Sequence, residues 1–230
     1  MLKKIIALMM LTGCAMNGGF MLGKDYYLGA KYIRDPLGEE KGYDKDPLIR
    51  TDAFDCTTYV ETVLADGDVN NLNLIRYKNG EIDFLNRNHF IETDWLQNNS
   101  SRVVNASEKY GKTHTRRVTI DKRAWLKKIH KIDADFTPET VSVKYIPYKN
   151  LEQIDNDKML VVLFISANSK SVETVGTELA VTHMGFLMPG GRTLRHASSA
   201  AGHVVDAEFM NYAKRRWQMG EMGVALLEIK

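Results

Sequence analysis

The sequence predicts an α+β fold. Three observations carry that class: one clear amphipathic helix early, short antiparallel-looking strands crowded into the C-terminal third, and no internal repeat. The composition is that of an ordinary globular chain: 230 residues, 44% hydrophobic and 26% charged, enough for one large domain or two small ones. A formal net charge of +2 excludes a strong electrostatic footprint for nucleic acid. The clusters Arg116-Arg117 and Lys214-Arg215-Arg216 therefore read as solvated surface.

The elements follow in order. Lys3 and Lys4 precede an apolar run over 5–11, which reads as a secretory signal. It is far shorter than the roughly 20 apolar residues of a membrane crossing. Residues 17–50 carry Gly, Tyr and Asp-Pro punctuation and read as a tether and lead-in. From Cys56, the apolar Tyr59, Val60, Val63 and Leu64 take helical spacing, with Asp55 as N-cap and Gly67 as the stop. Residues 72–77 continue as helix or loop, and Lys78-Asn79-Gly80 reads as a turn. The aromatic and acidic stretch 90–95 ends in a loop at Asn98-Asn99-Ser100-Ser101. A strand is expected over 117–120, a helix over 121–130 packing through Ala124, Leu126 and Ile129, and a strand over 141–146. The remaining strands are expected over 159–166, 181–188, 193–197, 203–206 and 224–229, with Met188-Pro189-Gly190-Gly191 as a turn.

Two cysteines stand in different settings. Cys14 closes Leu11-Thr12-Gly13-Cys14, just after the signal-like segment. Cys56 opens the predicted helix, where free N–H groups and the positive end of the helix dipole favour a thiolate and an oxyanion. A cysteine nucleophile also needs a base. Of six histidines, His183 sits inside an apolar strand pattern, where an imidazole must find a partner or face a cleft. His196 follows across the Gly190-Gly191 turn, so a hairpin would set the two rings side by side as the orienting arm of a Cys-His-polar triad. No His-Glu-x-x-His or paired Cys-x-x-Cys spacing points to a metal, and no cofactor is implied.

Leu11-Thr12-Gly13-Cys14 resembles the lipobox of bacterial lipoproteins. That resemblance implies cleavage before Cys14 and a diacylglycerol on its thiol, leaving Cys56 free. With Ala15 next, it implies a cell-envelope protein anchored to the outer membrane and facing the periplasm. Phe54-Asp55-Cys56-Thr57-Thr58-Tyr59-Val60-Glu61 resembles the N-acetylmuramoyl-L-alanine amidase-like branch of the NlpC-type papain-like cell-wall peptidases. Ile75-Arg76-Tyr77-Lys78-Asn79-Gly80, Arg87-Asn88-His89-Phe90, Asp94-Trp95, His183-Met184-Gly185-Phe186 and His196-Ala197-Ser198 occur in the same family order.

The resemblance implies a papain-like fold, with the nucleophile at a helix N-terminus against an antiparallel sheet or partial barrel. It implies Cys56 as nucleophile, His183 as base and acid, and His196 as orienting residue. The substrate would be peptidoglycan or a muropeptide, cut between N-acetylmuramic acid and L-alanine. An endopeptidase acting within the stem peptide and a non-catalytic wall-binding lipoprotein are the alternatives. Arg76, Tyr77, Asn88, His89 and Asp94 are expected along the substrate groove, with Asp94 paired to Arg87 or Arg76. The resulting organisation is a signal peptide over 1–13, a lipidated tether and lead-in over 14–45, and a hydrolase domain over 46–230. Residues 100–155 hold no assignable motif.

Overall fold

The computed structural model describes residues 25–167 and 170–230; the signal segment and Cys14 lie outside the described residues. Two short strands, β1 (Lys31–Tyr32) and β2 (Ala53–Phe54), precede helices α1 (Cys56–Leu64) and α2 (Val69–Arg76). A π-helical turn over Ile91–Trp95 runs into α3 (Leu96–Asn98), followed by β3 (Val103–Asn105), α4 (Ser107–Tyr110) and β4 (His114–Ile120). Then come α5 (Lys122–Trp125), a second π-helical turn over Leu126–His130, β5 (Glu139–Pro147), β6 (Leu160–Ile165) and α6 (Ser171–Val175). The chain closes with β7 (Val181–Leu187), β8 (Thr193–Ser198), β9 (His203–Glu208), α7 (Phe209–Gln218) and β10 (Gly223–Ile229).

One mixed sheet curls into a half-barrel, in the order β2-β1-β9-β8-β7-β6-β10-β5-β4, with β3 on β10. Strand β6 is its spine, since all six residues of Leu-Val-Val-Leu-Phe-Ile are buried. Side chains alternate across a strand, and the core divides accordingly. Val161, Leu163 and Ile165 pack with Tyr59, Val60 and Val63 of α1. Leu160, Val162 and Phe164 pack with Phe209 and Ala213 of α7. The sheet is thus sandwiched between the helix that carries Cys56 and a helix near the C-terminus.

The lead-in is part of this fold. Lys31 and Tyr32 pair with Ala53 and Phe54, Lys31 also pairs with His203, and Leu37 is fully buried. One further expectation changes and two segments gain an assignment. The helix expected over 121–130 is a short α5 plus a π-helical turn; Leu126 is buried, but Ile129 is exposed. Helix α7 was hidden by its basic residues, although its boundaries are written locally: the Glu208 side chain accepts from the Met210 and Asn211 amides, and Gly220 follows the end. Of residues 72–77, the first five are helical within α2, whose start is set by Asp68 accepting from the Asn70 and Asn71 amides, and Tyr77 is the extended residue that ends it.

Candidate active site

Cys56 is the first residue of α1 because Asp55 caps it. The Asp55 carboxylate accepts from the Thr58 amide at 2.8 Å, and the Thr58 hydroxyl accepts from the Asp55 amide at 3.0 Å, a reciprocal capping box. The thiol is half-buried. Burial pushes it up to about 11, the Asp55 carboxylate adds to that, and hydrogen bonding from the Met184 backbone amide opposes it. The expectation that the helix terminus would leave a thiolate is therefore corrected. Desolvation outweighs the N-terminal field, and the free protein holds a neutral thiol.

His183 is aimed by an irregularity in β7. Phe164 of β6 pairs with His183 and Ile165 with Val181, so Thr182 is an extra, unpaired residue. Such a bulge redirects the side chains beside it. Across the Gly190-Gly191 turn, Phe186 pairs with Arg195 and Leu187 with Leu194, as the expected hairpin requires. A Cβ at Gly185 would stand 2.8 Å from both the Arg195 carbonyl oxygen and the His196 Cβ. The bare glycine lets β8 approach, and His183 Nε2 meets His196 Nδ1 at 2.7 Å.

The environment keeps both rings of that bond uncharged. Burial, the neighbouring His196 and the Arg216 guanidinium hold His183 well below the ordinary imidazole range. Burial, Arg216 and Arg215 bring His196 down to about 4. Both rings are then neutral at pH 7, so one ring donates and the other accepts. With Nε2 engaged with His196, Nδ1 is the nitrogen of His183 left for another partner.

Cys56, Thr57, His89, Glu92, Thr182 and His183 line one cavity of about 180 Å³. Glu92, which the sequence reading missed, is 5% exposed, and its Oε1 accepts from the Ala180 and Val181 amides at 2.6 and 2.7 Å. It thereby pins the start of β7 beside His183. Through Thr57 and His89 the cavity adjoins a second one of about 220 Å³, bordered by Asp35, Asp55, Arg76, Asn88, Trp125 and His130.

The five residues expected along a substrate groove are placed differently from one another. His89 borders both cavities, with Nε2 2.7 Å from the Phe84 carbonyl oxygen, and burial holds it well below the ordinary imidazole range. Arg76 borders the second cavity but donates to the Leu37 and Leu48 carbonyls and lies 3.6 Å from Glu61. Asn88 is buried and donates to the Ile75 carbonyl. Tyr77 is fully buried, with its hydroxyl spent on Gly38 and Glu39, so it is core rather than groove. Asp94 pairs with Lys122 at 3.0 Å, not with Arg87 or Arg76, and borders a third cavity of about 420 Å³ that meets the second at Asn88. Arg87 instead binds Glu39, Asp44 and Asp35 of the lead-in. His203 bonds to the Ala201 carbonyl, while His130 packs on the rings of Phe84 and Trp125. Among the described residues no cluster of three potential ligands suits a metal ion, and no helix is long and apolar enough to cross a membrane.

A family model described as AmiA-like, N-acetylmuramoyl-L-alanine amidase-like, matches residues 23–219. The chain belongs to the N-acetylmuramoyl-L-alanine amidase-like family. No curated protein matches the sequence. Among solved structures, a Legionella pneumophila protein is 28% identical with a TM-score of 0.79, covering 89% of this chain and 86% of its own. An N-acetylmuramoyl-L-alanine amidase from Bacteroides uniformis is 24% identical with a TM-score of 0.66, covering 89% of this chain and 95% of its own. At that identity the second likeness speaks for the fold alone. The family match begins before β1, in keeping with a lead-in that belongs to the domain.

Proposed function

We propose that this amidase-like hydrolase is cysteine-dependent and cleaves the amide between N-acetylmuramic acid and L-alanine in peptidoglycan. The observation that carries the reading is the His183 Nε2–His196 Nδ1 bond beside Cys56, at the capped start of α1. His183 Nδ1 takes the Cys56 proton as sulfur attacks the amide carbonyl. Because the thiol starts neutral, attack and proton transfer are coupled. His196 accepts from the Nε2–H of His183 throughout, so it orients the ring and supports the imidazolium. Free backbone N–H groups at the start of α1 stabilise the oxyanion in this reading. His183 then returns its proton to the leaving amine of L-alanine, and water, deprotonated by the same ring, hydrolyses the thioester. The bond choice rests on the family match.

The test is incubation of the protein with defined muropeptides, read by mass spectrometry. Release of the intact stem peptide, abolished in Cys56→Ala, supports the proposal. Cleavage inside the stem would transfer it to the endopeptidase reading, and equal products from native protein and Cys56→Ala would remove Cys56 as nucleophile. The sequence around Cys14 supports the further proposal of a lipid-anchored envelope protein. Cys14→Ser is then expected to lose lipid labelling and membrane fractionation.

A further inference from the structure

The basic run Lys214-Arg215-Arg216 reads from sequence as solvated surface, yet the Arg216 side chain is only 18% exposed and turns in over β7. Its Nε donates to Glu221 Oε2 at 2.7 Å, and its Nη2 donates both to Glu221 Oε1 and to the Thr182 hydroxyl, the latter at 2.9 Å. The Thr182 hydroxyl in turn donates to Glu221 at 2.9 Å. Thr182 is the bulge residue, the one position of β7 without a ladder partner, immediately before His183. The guanidinium also stands 5.4 Å from the Phe164 ring centroid. Phe164 lies 5.5 Å from the His183 ring and 5.1 Å from Tyr212, and Tyr212 sits edge-on to His196 at 4.8 Å.

We propose that Arg216, held by Glu221, is a positioning residue for the His183–His196 pair, acting through the bulge at Thr182 and the packed rings of Phe164 and Tyr212. The proposal rests on the reading of His183 as the catalytic base. A bulge frees one residue from the ladder, so its local twist is set by whatever else holds it. Here that holder is a planar fork with several fixed donors, which binds Glu221 and Thr182 at once and lies over a ring. One turn earlier on α7, Tyr212 walls the two imidazoles. Helix α7 thus sets the face of the histidine pair remote from the ladder.

Arg216 also acts by charge. The titratable and charged groups around the imidazoles are Cys56 from α1, His89 and Glu92 across the cavity, Asp206 from β9, Tyr212, Arg215 and Arg216 from α7, and Glu221 beyond its end. Beyond burial, the Arg216 cation works against protonation of both rings, and Asp206 favours it at His196. Removing the Arg216 charge therefore raises the pH at which the pair protonates. An ion pair that only closed the end of α7 would change stability and leave that pH unmoved.

The experiment compares the full chain with Arg216→Gln, Arg216→Lys and Thr182→Val. Imidazole titrations by NMR are measured beside the pH profile of muropeptide turnover. For Arg216→Gln we expect kcat to fall about tenfold or more with KM within about twofold, and both the imidazole titrations and the acid limb to move to higher pH. Arg216→Lys keeps the charge, so the acid limb stays and part of kcat returns. Thr182→Val lowers kcat and leaves the acid limb in place. A folded Arg216→Gln protein with native kcat and native titrations, or one altered only in Tm, overturns the proposal. If Arg216→Gln does not fold, Thr182→Val decides, and a native kcat there overturns it. The titrations do not depend on turnover. A native protein inert toward every muropeptide, but with imidazole values that move in Arg216→Gln, would sink the proposed reaction and leave the positioning role standing.

Discussion

At Cys56 the helix terminus and the surrounding packing pull the thiol in opposite directions, and burial wins. In a Cys14→Ser background, alkylation of Cys56 by iodoacetamide is therefore expected to be slow at pH 7 and to climb with a midpoint near pH 11. A midpoint below 8 would show a preformed thiolate. The histidines carry the complementary prediction. Folding depresses both imidazoles, so between their folded values and the ordinary value near 6.5 the unfolded chain binds more protons. Stability then rises with pH through that window and is lost as pH falls from about 6.5 toward 4. Denaturant titrations at pH 7 and pH 5 check this, and His196→Gln should reduce the slope while His183 and His89 keep the remainder. The residue types were legible in the sequence: a capped cysteine, a histidine in an apolar strand, and a second histidine across a turn. Their protonation was not, because it follows from desolvation and from Arg216, which comes from another element.

The β7–β8 hairpin shows how elements set the site. Met188-Pro189-Gly190-Gly191 announces the turn, and period-2 patterning announces the strands. The bulge at Thr182 has no such signature, since it depends on how β6 registers against β7. Gly185→Ala tests the close approach: its Cβ would meet backbone and His196 Cβ at 2.8 Å, so β8 must back away. A loss of about tenfold or more in kcat/KM, with the histidine–histidine bond lengthened in a crystal structure, is the expected outcome; native activity would count against it. At the head of α1, Asp55→Ala removes the cap and is expected to cost about 1 kcal/mol in chemical denaturation. Helix α1 was readable because its cap and apolar stripe are local. Helix α7 escaped because its inward face is built from Phe209, Tyr212, Ala213 and Arg216, and an inward arginine looks like surface until Glu221 and Thr182 are seen beside it.

Across the whole molecule, residues 25–55 join the helix that carries Cys56 to the β1–β2 edge of the sheet. Arg87 is the clasp, with Glu39, Asp44 and Asp35 as its acceptors and a side chain only 10% exposed. Removing one partner of a buried ionic cluster strands the others, so Arg87→Ala is expected to lose about 3 kcal/mol. Urea denaturation measures it, and a loss under about 0.5 kcal/mol would show the clasp to be ornamental. By itself the sequence determined the α+β class, the capped helix under Cys56, the hairpin that joins His183 to His196, and the family, because each is encoded in residues close along the chain. Only the tertiary structure decided that the lead-in is part of the domain, that Tyr77 is core, that Asp94 belongs to Lys122, and that the cysteine and both histidines begin as neutral groups. Those depend on which distant segments exclude water from one another and where their charges come to rest, and neither is written in neighbouring residues.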